Sequence, residues 1–303
     1  MTRDKNRLQG AILVILASMC WGTTGTLHAF APEGAQPLTV GAVRIVVSGV
    51  MLLGWCLFQP ERLSFFKKLD LTALAIAVAG IMSFQFAFFT ALKLTGVSVG
   101  TMLAIGLSPV FAGAIGALAE REPLSGRWAL STAVAVLGCS LLVMGGQWKE
   151  EAIHLGGATL ACAAALFYAL MGLGLKRQGA VVTPTQATAA TTGTAILVGL
   201  PVLLLLDSSW IFSCRGAFIA LSLGFLTMAF PMCLFTIGLR KIFLRDAYTL
   251  SLVEPLTACA LSALLLGERL SAVSMAGAAL IMGGILLLPV AEGDKEEKPA
   301  LKE

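Results

Sequence analysis

Charge is what this sequence has least of. Only 13% of its 303 residues are charged, against roughly 25% in ordinary soluble domains. Residue sets that carry chemistry are missing too. No HExxH, Walker A or GxGxxG run occurs, and no Ser-His-Asp or Cys-His set falls at matched depth. The chain is therefore not expected to be an enzyme, to use a cofactor, or to couple to ATP without a partner. The seven cysteines, at positions 20, 56, 139, 162, 214, 233 and 259, form no CxxC pair or Cys/His cluster. They suggest neither a metal site nor a disulfide framework.

What is present is apolar sequence in long runs. Mean hydropathy is +0.89, and the charges cluster between stretches of about 18–25 apolar residues, the length that crosses roughly 30 Å of hydrocarbon. The runs are continuous rather than alternating, which excludes a β-barrel. The class is an all-α membrane protein. Ten spans are expected, near 8–31, 37–58, 71–93, 97–119, 126–145, 155–175, 185–206, 216–239, 246–267 and 272–289. The first run is too long for a signal-peptide core, so it reads as a retained helix. Residues 1–7 form a short N-terminus. The charged stretch 291–303, with Pro299 and no apolar face, reads as a disordered tail.

Lys and Arg collect in cytoplasmic loops. With the N-terminus inside, ten spans put 16 of the 21 basic residues on the inner side and four outside, Lys93, Lys149, Arg215 and Arg269; Arg44 lies within a span. That bias supports ten spans with both termini cytoplasmic. It also accounts for the net charge of +4, so nucleic acid is not implied as a partner.

The chain repeats itself. A shift of 146 lays Pro109 on Pro255, Glu122 on Glu268, Ser125 on Ser271 and Gly138 on Gly284, with 12 of 34 positions identical over 109–142. Upstream, a shift of 147 pairs Gly10 with Gly157, Trp21 with Tyr168, Gly25 with Gly172 and Pro37 with Pro184. The repeat unit is five spans, at 8–146 and 155–290, with an outer linker at 147–154. Five is odd, so two units in series cross the membrane in opposite senses. Inverted repeats of this kind recur in transporters that alternate access around a central site.

Candidate site residues follow from intramembrane polarity and symmetry. Glu254 lies near the middle of span nine, where a carboxylate is costly and usually faces a cavity or a partner. Pro255 removes a backbone donor and is expected to leave the Ser251 carbonyl unpaired. The repeat mate of Glu254 is Ser108, so charge at this depth is asymmetric. Pro109 and Pro255 place breaks at matching depths in spans four and nine, a pointer to a central site. Pro231, whose mate is Phe84, ranks lower. Arg44 either caps carbonyls and snorkels outward or attracts a substrate anion, with the structural role weighted more heavily. Trp21 and Tyr168 are mates near mid-span; with Phe84, Gln85, Phe88 and Tyr248 they form a candidate pocket wall. His28 reads as an interfacial histidine. Glu122 and Glu268 read as helix punctuation, with Ser125 and Ser271 as N-caps. Small residues seven apart, Ser131, Gly138 and Gly145 with Gly277, Gly284 and Ala291, allow close helix contact. Spans five and ten then either pack on each other or support a homodimer.

Trp21-Gly22, Arg44, and the duplicated small-rich helix ending in Glu122/Glu268 and Leu-Ser together resemble the EamA family of the drug/metabolite transporter superfamily, over nearly the whole chain. The resemblance implies ten helices in two inverted halves around a central cavity, moving amino acids, other metabolites or drugs across the bacterial cytoplasmic membrane, often outward. The expected function is secondary transport of small, amino-acid-like or amphipathic solutes, with export favoured and proton coupling through Glu254 as a hypothesis. Metabolite uptake and a non-transporting scaffold are the alternatives.

Overall fold

The computed structural model describes residues 2–60, 62–145, 154–265, 267 and 270–290. Within them the chain is helical and contains no strand. Glu268, Ala291, the tail 291–303 and all of the 147–154 linker except His154 lie outside the described residues.

The first long apolar run forms α1 (Thr2–Gly22) and α2 (Thr24–Ala29), interrupted at Thr23. Then come α3 (Pro37–Leu57), α4 (Leu71–Gly106), α5 (Ser108–Glu120) and α6 (Gly126–Met144). The second half holds α7 (Leu155–Val181), α8 (Pro184–Leu205), α9 (Cys214–Gly224), a π-helical turn at Phe225–Ala229, α10 (Phe230–Leu239), α11 (Leu244–Leu250), α12 (Val253–Leu265) and α13 (Ala272–Leu287). Gly96, at φ 78°, breaks the long α4 where the chain passes from one apolar run to the next. Only a residue without Cβ takes that conformation cheaply.

Among the described residues, nine stretches are long and apolar enough to cross a membrane: Asp4–Ala29, Pro37–Leu57, Leu71–Gly96, Val99–Glu120, Gly126–Met144, Leu155–Val181, Pro184–Leu205, Cys214–Leu239 and Leu244–Leu265. Apolar Ala272–Leu287 has 16 residues, about 24 Å at 1.5 Å per residue, less than the hydrocarbon thickness.

Local sequence sets the helix starts. Ser125 accepts from the Trp128 N–H and Ser271 from the Ser274 N–H, each at 3.1 Å. At α8, Thr183 and Gln186 exchange side chain-to-backbone hydrogen bonds as a capping box, and Pro184 follows. These bonds satisfy end N–H groups that hydrocarbon cannot solvate.

Packing is inside-out relative to a soluble protein. Leu205, Leu286, Leu197 and Phe218 are strongly exposed, while buried positions are rich in Ala, Gly, Ser and Thr. Buried Thr191 and Thr192 return their hydroxyl hydrogens to the carbonyls of Ala187 and Thr188, so neither hydroxyl is stranded.

Small residues bring α6 and α13 together within one chain, one of the two roles expected for spans five and ten. A Cβ on Gly138 would lie 2.6 Å from the Ile281 nitrogen, and one on Gly284 would lie 2.8 Å from the Ser131 carbonyl oxygen. Two hydroxyls bond across the seam: Ser131 Oγ donates to the Gly284 carbonyl at 2.7 Å, and Ser274 Oγ to the Leu142 carbonyl at 3.2 Å.

Candidate functional site

Four interruptions break the helices inside the bundle. The first run breaks at Thr23, the fourth at Leu107 just before Ser108-Pro109, and the ninth at Ser251-Leu252 just before Glu254-Pro255. In the eighth, the π-helical turn Phe225–Ala229 precedes Pro231. Bulges of this type cluster at functional sites.

Each break has a definite origin. Proline at position 255 cannot donate to Ser251, yet the Ser251 carbonyl is not left unpaired as the sequence suggested. It accepts from the Glu254 N–H at 2.9 Å, one residue earlier than in a regular helix, so the turn tightens and the chain restarts as α12. Ser108 Oγ closes the equivalent break by donating to the Ile105 carbonyl at 2.7 Å. Pro109 lies in the first turn of α5, where its missing N–H costs nothing.

The breaks in the first and ninth runs touch. A Cβ on Gly22 would sit 2.7 Å from the Glu254 carbonyl oxygen, so the glycine of the Trp21-Gly22 pair lets α1 meet the start of α12. Trp21 then turns into a ring cluster. Its centroid lies 6.0 Å from Tyr168 and 5.1 Å from Phe235; Tyr168 lies 5.1 Å from Phe84 and 4.7 Å from Tyr248; Phe84 lies 5.3 Å from Phe88. The Tyr168–Tyr248 pair is edge-on, a geometry worth about 0.5–1.5 kcal/mol beyond area burial. Tyr248 Oη also donates to the Tyr168 carbonyl, which fastens α11 to α7.

Arg44 and Glu254 bring opposite charge to this cluster. Arg44 Nη2 donates to the Thr227 carbonyl at 2.9 Å. Thr227 lies in the π-helical turn, and an α-helical bond to its carbonyl would have to come from residue 231, which is proline and has no N–H. Arg44, Glu254 and Tyr168 lie within electrostatic reach of one another. Both charged residues are surrounded by protein, yet each keeps partial surface exposure. Two buried polar atoms there have no hydrogen-bond partner among the described residues, Arg44 Nε and Tyr168 Oη. Ser251 Oγ, a neighbour of Tyr168 Oη, instead donates to the Tyr248 carbonyl at 2.8 Å. A solute with an anionic or hydrogen-bonding group at one end, a cation at the other and an apolar body matches this set.

The chain aligns with one family model twice, over residues 8–144 and 155–289, and that family is described as the EamA-like transporter family. The chain belongs to the EamA-like transporter family. This EamA-like protein is 34% identical over 284 residues to YwfM of Bacillus subtilis, described as an uncharacterized transporter, covering 93% of this chain and 94% of that one. An uncharacterized transporter of Archaeoglobus fulgidus is 23% identical over 280 residues, covering 92% and 95%. A solved structure described only as a crystal structure of protein superposes with a TM-score of 0.80 at 19% identity, over 93% of this chain and 96% of that one. At that identity the likeness shows the fold alone.

Within this EamA-like chain the expected residues divide. Trp21, Phe84, Phe88, Tyr168 and Tyr248 meet in one ring cluster, with Arg44 and Glu254 near Tyr168. Gln85 turns elsewhere: its Nε2 donates to the Gly41 carbonyl at 3.2 Å, beside a separate shallow crevice lined by Leu38, Met82, Phe86 and Phe89. His28 Nε2 bonds the Ala35 carbonyl at 2.8 Å and takes no part in the cluster. Sequence reasoning missed Phe235, although its repeat mate is Phe88. Pro231, ranked lower from the sequence, follows the π-helical turn whose Thr227 carbonyl Arg44 bonds.

Proposed function

We propose that the chain is a secondary transporter of small organic solutes that works by alternating access between two inverted five-span halves. The observation that carries this is the opposed pair Arg44 and Glu254 beside the aromatic cluster, set among broken helices in a transporter-family bundle. A carboxylate-bearing end of the solute pairs with Arg44 and the free Tyr168 hydroxyl. An amine end pairs with Glu254, and the rings cover an apolar middle. The preferred solutes are amino-acid-like or amphipathic, and export is the favoured direction.

The topology in this reading counts Ala272–Leu287 as the tenth span, aided by flanking apolar residues through Val290. It makes 8–146 and 155–290 the two halves and places both termini in the cytoplasm of a cell bounded by this membrane. The basic-residue bias of the loops supports that orientation. Glu254 couples transport to protons in this scheme, since a carboxylate at membrane depth can bind either a proton or an amine. The symmetric Pro109 and Pro255 breaks act as the flexing points.

The test is a metabolite panel screened for thermal stabilisation of purified protein, with binders carried into liposome flux under imposed pH gradients. Solutes bearing both charges should stabilise most. Glu254→Gln should bind them more weakly and lose any dependence of flux on the pH gradient. Flux equal to empty liposomes for every binder would refute transport. Gradient-driven flux that survives Glu254→Gln unchanged would remove proton coupling through this residue.

A further inference from the structure

One end of the bundle holds a polar cluster that the central site does not use. After α5 the chain reverses at Arg121, which adopts a left-handed conformation at φ 54°, and the Glu122 N–H returns to the Gly116 carbonyl at 2.9 Å. The turn directs the Glu122 carboxylate inward, where only 6% of the residue is exposed. Its Oε1 accepts from the Leu244 N–H at 2.8 Å, its Oε2 approaches the Arg245 N–H at 3.4 Å, and it pairs with Lys176 Nζ. Lys176 also donates to the Ile242 carbonyl at 3.3 Å. One carboxylate thus ties the ends of α5 and α7 to the first turn of α11. Sequence reasoning took Glu122 for punctuation of its own helix, but its partners lie 54 and more positions away.

The surroundings are only partly satisfied. The Arg245 guanidinium lies 5.0 Å from the Phe243 ring centroid and 5.6 Å from that of Trp128, with its Nε 3.3 Å from Asp246 Oδ1. Arg245 Nη1 and Trp128 Nε1 are buried without a hydrogen-bond partner among the described residues, and Arg245 Nε and Asp246 Oδ1 are held by their ion pair without a hydrogen bond. A permanent anchor gains from full pairing, because unpaired buried polar atoms are costly. Unused donors beside a well-made bond suit an element that exchanges partners.

The two ends of the bundle also differ at matched positions. The place of a Cβ on Gly172 is filled by the Tyr248 ring, whereas its repeat mate Gly25 has nothing within 4 Å. The helix at Gly172 is thus packed directly against α11, and the matched position at Gly25 has no such neighbour.

We propose that Glu122 is the closing residue of a gate at this end, and that access from this side requires its carboxylate to release α11. The proposal rests on the transporter reading, and its test reads access rather than transport. Ser251, fully buried one turn beyond Tyr248, becomes the reporter through Ser251→Cys. In vesicles of known sidedness, a charged, membrane-impermeant thiol reagent is applied from the Glu122 end, and modification of residue 251 is followed by peptide mass spectrometry. Against the Ser251→Cys parent, adding Glu122→Gln should speed labelling by about tenfold, the change that loss of a charge-assisted contact makes in an opening equilibrium.

Leu244→Pro is the second variant. It deletes the N–H that Glu122 receives, at the first position of α11, where the preceding Phe243 is already extended at ψ 149° and proline is tolerated. Faster labelling in both variants, with thermal stability close to the parent, supports the gate. Unchanged labelling in folded variants overturns it, and so does loss of folding in both, which would assign Glu122 to stability instead. Opened access without solute flux would leave the gate standing and sink the transporter reading. Solute flux with unchanged labelling would do the reverse.

Discussion

Adjacent glycines on α13 allow a sharp test of how the helices are held. Gly284 faces α6: an added Cβ would lie 2.7 Å from Ala135 Cβ, 2.8 Å from the Ala135 nitrogen and 2.8 Å from the Ser131 carbonyl oxygen. Two of those are backbone atoms, so relief requires the helices to part. Gly283, one position earlier, has open space at its Cβ. Overpacking a tight seam costs about 1–3 kcal/mol. Parting the helices also lengthens the Ser131–Gly284 and Ser274–Leu142 hydrogen bonds, and such bonds in membranes average about 0.6 kcal/mol each. Against this, Ala in place of Gly favours the helix by about 0.8–1.0 kcal/mol. The net expectation for Gly284→Ala is a loss of roughly 1–3 kcal/mol, whereas Gly283→Ala should be neutral or gain up to about 1 kcal/mol. Denaturant unfolding in a fixed detergent measures the difference between the two, so the common reference state cancels. Equal stability of the two variants would refute the idea that this seam is set by backbone contact.

Two further substitutions separate function from stability. Tyr168→Phe removes a hydroxyl with no partner and should leave stability nearly unchanged while weakening solute binding; Tyr248→Phe removes a made hydrogen bond and should cost about 0.5–1.5 kcal/mol. The same stability loss in both would show that Tyr168 Oη has a partner after all. Pro231→Ala restores a helical donor for the Thr227 carbonyl and sets it in competition with Arg44. The variant should be at least as stable as the parent and bind solute several-fold more weakly, as titration by calorimetry would show; unaltered affinity would mean that the anchor does not position Arg44.

The helices were legible because length and hydropathy decide them. Membrane spans need only local sequence, and the runs at Pro37–Leu57 and Gly126–Met144 were bounded within a residue or two. Repeat pairing was equally local information, read twice, and it put Trp21 and Tyr168 together before any geometry was known. The polar network was not legible, for a physical reason. Arg44 bonds a carbonyl 183 positions away, and a backbone oxygen has no letter in a sequence. Glu122 was visible as a helix end, yet the N–H groups it receives are equally anonymous. The direction of Gln85 was not legible either, because the sequence shows that a polar residue lies on a helix but not which way it turns. Its neighbour Phe84 joins the rings while Gln85 meets α3.

Anchoring a cation to a main-chain oxygen has a consequence for how this protein can vary. Every amino acid at position 227 offers the same carbonyl, so exchange of Thr227 leaves the acceptor in place. The acceptor is withdrawn only by supplying it with another donor, and that decision is made four residues later. Correlated change across relatives should therefore link position 44 with position 231, whereas the side chain at position 227, fully buried and bonded to the Leu223 carbonyl, should answer to its packing and not to Arg44.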